Sequence, residues 1–128
     1  MSEVEKIVMP YIGKSLSVNY YRIIGHGGRS TMKIKPDVAR WMKILEDRVR
    51  DLHLKIQPPV TITLHGKFWD ERCPDLSNLH KVIGDAIKVG LEIDDKHFKF
   101  VDEGYEVGYA DQVLEITIQG IVETGDKV

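Results

Sequence analysis

A single cysteine, Cys73, stands in the 128 residues, so no disulfide can form within the chain. That absence points to a reducing, cytoplasmic setting. Long apolar runs are missing too: nothing approaches the ~20 residues of a membrane-spanning helix, so no membrane partner is expected. The opening stretch MSEVEKIVMPY lacks the apolar centre of a secretory signal. There is no large excess of either charge, the net being −2. No repeat or low-complexity tract interrupts the chain. What remains is the composition of one domain, residues 1–128, large enough to build a core without crosslinks.

The distribution of charge says more than its sum. Lys14 to Lys55 carries ten Lys/Arg against four Asp/Glu, while the remainder holds eight basic against sixteen acidic residues. A cationic surface supplied early and an acidic site supplied late is one explanation; scattered, solvated charge is the other.

Periodicity divides the chain into alternating elements. Lys6 to Tyr11 reads as a strand stopped near Pro10. The run HGGRSTMKIK, from His26 to Lys35, reads as a basic loop or loose hairpin. Pro36 opens a helix whose apolar face is Val38, Trp41, Met42, Leu45 and Val49, ending near Leu54. Trp41 on that face reads as core. Val60 to Phe68 alternates as a half-buried strand, leaving His65 on the polar side. A second helix is expected from Leu76 to Val89, with Asp75 as N-cap and Gly90 as its left-handed stop. Its buried stripe is Leu76, Leu79, Ile83, Ala86 and Ile87. Strands over His97–Val107 and Gln112–Ile121 follow. The resulting β-α-β-α-β-β order predicts an α+β domain: a small mixed β-sheet with two helices packed on it.

Chemistry concentrates in PDLSNLHKVIGDAIKVGLEIDD, Pro74 to Asp95. Asp75, Asn78 and Lys81 sit at the start of the second helix, and Asp94-Asp95 just beyond its end. Carboxylates gathered with a lysine suit metal-dependent phosphodiester chemistry, because hard divalent cations take oxygen ligands and a lysine neutralises phosphate. Asp75 alone is better explained as a cap; its combination with the others is what points to chemistry. A helix over Leu76–Val89 is about 20 Å long. Asp95 therefore reaches the Asp75 end only if the chain doubles straight back, or if a second subunit completes the site.

The motif resembles that of the RusA family of Holliday-junction resolvases, small phage- and prophage-associated endonucleases. The matching pattern is D-x-D-N-L-x-K, then D-A, then G-x-x-x-D-D, here Asp75 to Lys81, Asp85-Ala86, and Gly90 through Asp94-Asp95. Pro10, Ser17, Asn19, Tyr20, Tyr21 and Arg22, followed by Gly28-Arg29, fit the family's early segment, and Leu114 to Ile118 its last strand.

The resemblance implies a RusA-like homodimer that resolves branched DNA in recombination and repair. Asp75, Lys81 and Asp95 would be catalytic, and Asp75, Asp94 and Asp95 would hold Mg²⁺ or Mn²⁺. Asn19, Tyr21, Arg22, Arg29, Lys33, Lys35 and Asn78 would contact the DNA. Ser77 departs from the pattern, which has an acid there, so the alternative expectation is a catalytically impaired protein that binds branched DNA.

Overall fold

The computed structural model describes residues 2–16, 21–26 and 29–122, with residues 21–26 and 29–32 described through their backbone alone. Strand β1 spans Ser2–Pro10, β2 Tyr21–His26 and β3 Arg29–Ile34. Helix α1 spans Pro36–Asp51, β4 Ile56–Phe68, α2 His80–Leu91, β5 Phe98–Val107 and β6 Val113–Val122. Four strands form one mixed sheet in the order β1-β6-β4-β5, and β2 and β3 pair as a separate hairpin. The expectation of an α+β domain with two helices on a small mixed sheet holds. The element order differs, because the basic run before Pro36 is a paired hairpin.

Period-2 alternation places Val60, Ile62, Leu64 and Phe68 of β4 and Leu114, Ile116 and Ile118 of β6 in the core. The helices supply the opposite wall through Val38, Trp41, Met42, Leu45 and Val49 of α1 and Val82, Ile83, Ala86 and Ile87 of α2. Fully burying an aliphatic side chain of this kind contributes about 1.5–3 kcal/mol. Both apolar faces read from the sequence are those that face the sheet, and Val82 joins them.

Trp41 is 3% exposed, and its indole N–H donates to the carbonyl of Pro10 at 2.7 Å. That bond ties α1 to the end of β1. Trp41→Phe keeps an aromatic side chain but removes the donor and part of the buried ring, leaving the carbonyl without this partner. Urea unfolding is expected to show a loss of about 1–3 kcal/mol. An unchanged midpoint would mean that the bond contributes nothing.

Several boundaries differ for identifiable reasons. β4 begins at Ile56, with Pro58 and Pro59 inside it, and its pairing with β6 shifts register between Gln57 and Thr61. Proline has no N–H for a ladder, so a strand carrying two of them pairs discontinuously. α2 is preceded by a 3-10 turn, Leu76–Leu79. Its left-handed cap is Glu92, at φ 58°, and Gly90 lies inside the helix. A Cβ on Gly90 would stand 2.8 Å from Val49 Cβ and 2.9 Å from the Glu46 carbonyl. The glycine marks the place where two helices nearly touch.

Candidate active site

The connection from β4 to β5 decides where the acidic residues fall. The two strands are parallel, with Val60 opposite Phe98 and Leu64 opposite Asp102. The chain therefore returns along α2 before β5 begins. Asp75 lies at the start of that return and Asp94-Asp95 at its end. The 12 residues of α2 alone span about 18 Å. Within one protomer Asp75 and Asp95 thus stand at opposite ends of a helix, the arrangement in which a site holding both would need a second subunit. Among the described residues no group of three or more His, Cys, Asp or Glu side chains is close enough to hold a metal ion.

Asp75 occupies the N-cap position expected of it, at the start of the 3-10 turn Leu76–Leu79. Asp75 makes no side-chain cap bond; its backbone carbonyl accepts from Asn78 N–H at 3.0 Å. Its side chain is left to line a cavity of about 210 Å³ with Ser77, Asp102 and Tyr105. Asp94 is the capping residue, its carboxylate accepting from Lys96 N–H at 3.2 Å at the start of the 3-10 turn Asp95–His97. That backbone N–H holds the Asp94 carboxyl below its usual range.

A larger cavity, about 430 Å³, is lined by Tyr11, Lys14, Arg72, Cys73 and Asn78. Pro74 borders both cavities. Arg72 is held as a fork on Asp70, through Nε at 3.1 Å and Nη2 at 2.7 Å. This pairing holds the Asp70 carboxyl low. Residues 74–78 thus contribute to both cavities, Asp75 and Ser77 to the one with Asp102, and Asn78 to the one with Lys14 and the Asp70-paired Arg72.

Lys81 lies 4.0 Å from Asp85 along the exposed side of α2, an ordinary helical pair. Lys33 is exposed, and Lys35 supplies the N-cap position of α1. The hairpin register pairs Arg22 with Lys33, His26 with Arg29 and Tyr21 with Ile34. Asn19, Ser17 and Gly28 lie outside the described residues.

Three side-chain pairings were not foreseen by sequence reasoning. His80 bonds both oxygens of Asp102, at 2.8 and 3.0 Å. Tyr105 donates to Glu71 at 2.6 Å, and the carboxylate's acceptance of that bond pushes the phenol up to about 12. Tyr105 accordingly remains a hydrogen-bond donor at the rim of the acidic cavity at ordinary pH. His65, expected on the polar phase, is half-buried and bonded to Glu106 at 2.8 Å. Each pair joins a residue of β5 to one distant in sequence: His65 on the neighbouring strand, His80 on α2 and Glu71 in the loop after β4.

No helix among the described residues is long and apolar enough to cross a membrane. Neither a protein-family model nor a curated protein matches this chain. Among solved structures it is similar to 2C-methyl-D-erythritol 2,4-cyclodiphosphate synthase from Plasmodium vivax, at 11% identity and a TM-score of 0.41, with 96% of this chain and 98% of that chain covered. A likeness that faint assigns neither a family nor an activity.

Proposed function

We propose that this chain is a RusA-like, divalent-cation-dependent endodeoxyribonuclease that acts on branched DNA as a homodimer in a cytoplasmic setting. One observation carries the reading: two cavities share Pro74, one lined by Asp75 and Asp102 and the other by Lys14, Arg72 and Asn78. Phosphodiester hydrolysis needs oxygen ligands for a cation and cationic or amide donors for the strand, side by side.

The cation would be held by Asp75 of one protomer and by Asp94-Asp95 of a second. The set within a single protomer does not fit, because α2 separates its members. Mg²⁺ commonly takes one or two carboxylates and completes its shell with water and substrate phosphate, so a shared site of this kind suffices. When bound, it would polarise the phosphate and acidify water. The chain's own contribution is placement: Asn78 and Arg72 orient the strand, and the hairpin residues Arg22, Arg29 and Lys33 add phosphate contacts.

The test is cleavage of a synthetic four-way junction with Mg²⁺, with Mn²⁺ and with chelator. Nicking is expected only with metal, with symmetric cuts and a lower rate for Lys81→Ala. Junction affinity should fall with a log-log salt slope near −0.9 per phosphate contacted. Cleavage in chelator, or no cleavage under any condition, would reject the reading.

A second reading is a junction-binding protein without cleavage. It is favoured by Ser77, a neutral side chain on the cavity where the family pattern has an acid. Ser77→Asp discriminates: activity appearing only in the variant supports the binder, whereas an active parent rejects it.

A further inference from the structure

Asp102 occupies a position with no counterpart in the motif. It lines the same cavity as Asp75 and Ser77. Its two oxygens share the Nε2 position of His80 at 2.8 and 3.0 Å. The imidazole is fixed in turn, stacked on Phe100 with centroids 4.3 Å apart and planes 12° from parallel. Phe100 closes against the middle of α2 at Gly84, where an added Cβ would stand 3.3 Å from the ring. Glycine inside a helix costs about 1 kcal/mol relative to alanine. The series Gly84, Phe100, His80, Asp102 thus gives up helix stability for the placement of one carboxylate. The side chains of His80 and Asp102 are 31% and 33% exposed, held by neighbours yet open to solvent.

We infer that Asp102 is a further catalytic residue of the Asp75 cavity, accepting the proton of the attacking water, and that His80 is its positioning residue. The inference rests on the nuclease reading above. A carboxylate offers about four lone-pair sites. One N–H shared between its two oxygens leaves others available. In the step, an O–H bond of water breaks and the proton passes to Asp102. The hydroxide oxygen bonds to phosphorus, the bond from phosphorus to the departing sugar oxygen breaks, and that oxygen takes a proton from bulk water. The second carboxylate that Ser77 does not supply comes instead from β5.

The experiment compares junction cleavage with Mg²⁺ by the full chain and by its Asp102→Asn, His80→Gln and His80→Phe variants. Asp102→Asn is expected to lower kcat by about 10²–10⁴-fold with junction affinity unchanged. His80→Gln, which keeps an N–H for Asp102, should retain more of kcat than His80→Phe, which keeps only the stack. Independently of cleavage, the His80 Nε2 proton should give a slowly exchanging NMR resonance that vanishes in Asp102→Ala.

If the parent cuts and Asp102→Asn matches its kcat, the role of Asp102 is overturned while the nuclease reading stands. If His80→Gln and His80→Phe lose kcat equally, or no such resonance exists, the positioning role falls. A parent that never cuts, with the resonance present, overturns the nuclease reading and the catalytic role together.

Discussion

Asp75→Asn protein and Asp95→Asn protein, each inactive alone, should recover junction cleavage when mixed. With the proposed site shared across a homodimer, each variant would remove one oxygen donor from every site, and a loss of about 10²–10³-fold is expected from each. The helix between the two aspartates keeps them apart in one protomer. A shared site therefore draws them from different copies. After exchange of protomers, a heterodimer has one site in which both aspartates are intact and one in which both are changed. Random pairing of equal amounts leaves about a quarter of all sites intact. Recovery to that level, measured as initial nicking rate, locates the site between protomers. An active parent with no recovery in the mixture would place the site within one chain and require α2 to be rearranged.

Gly90→Ala should destabilise the protein although alanine is the better helix former. Propensity favours the substitution by about 1 kcal/mol. Against it stands the overlap of the new methyl with Val49 at 2.8 Å and with the Glu46 carbonyl at 2.9 Å. The second obstacle is backbone, which cannot swing aside as a side-chain tip can. Overpacking of a tight core costs about 1–3 kcal/mol, so the balance is a net loss and α1 is pushed from α2. Thermal unfolding should shift down by several degrees. Gly84→Ala meets only the edge of the Phe100 ring at 3.3 Å and should be milder. A rise in Tm for Gly90→Ala would show that the helices separate at little cost.

These two glycines show how far a sequence can be read here. The apolar stripes of both helices and the alternation of β4 and β6 follow from periodicity alone, because burial repeats with the backbone's own period. Gly90 was misread as a stop: a glycine near the end of a helical pattern looks the same whether it permits a left-handed turn or a close crossing. Which of Asp75 and Asp94 makes a side-chain cap bond was hidden for a related reason. Either could cap a helix or face a cavity, and the choice depends on neighbours brought in by the sheet. His80 with Asp102, 22 residues apart, could be matched only once β5 was known to run parallel to β4. The hairpin of β2 and β3 lay hidden in a run whose polar residues read equally well as loop.

The placement of β6 sets a condition on how the molecule is made. The last strand in sequence lies between the first strand and β4, with Ser2 opposite Ile121 and Thr63 opposite Thr117. A chain emerging from the ribosome can form its helices and the β4–β5 pair first, but β1 waits without its sheet neighbour until Val113–Val122 has been synthesised. Closure depends on contacts between remote segments, the kind that slows folding. Truncation before Val113 would leave β1 unpaired and both edges of the interrupted sheet exposed to other chains.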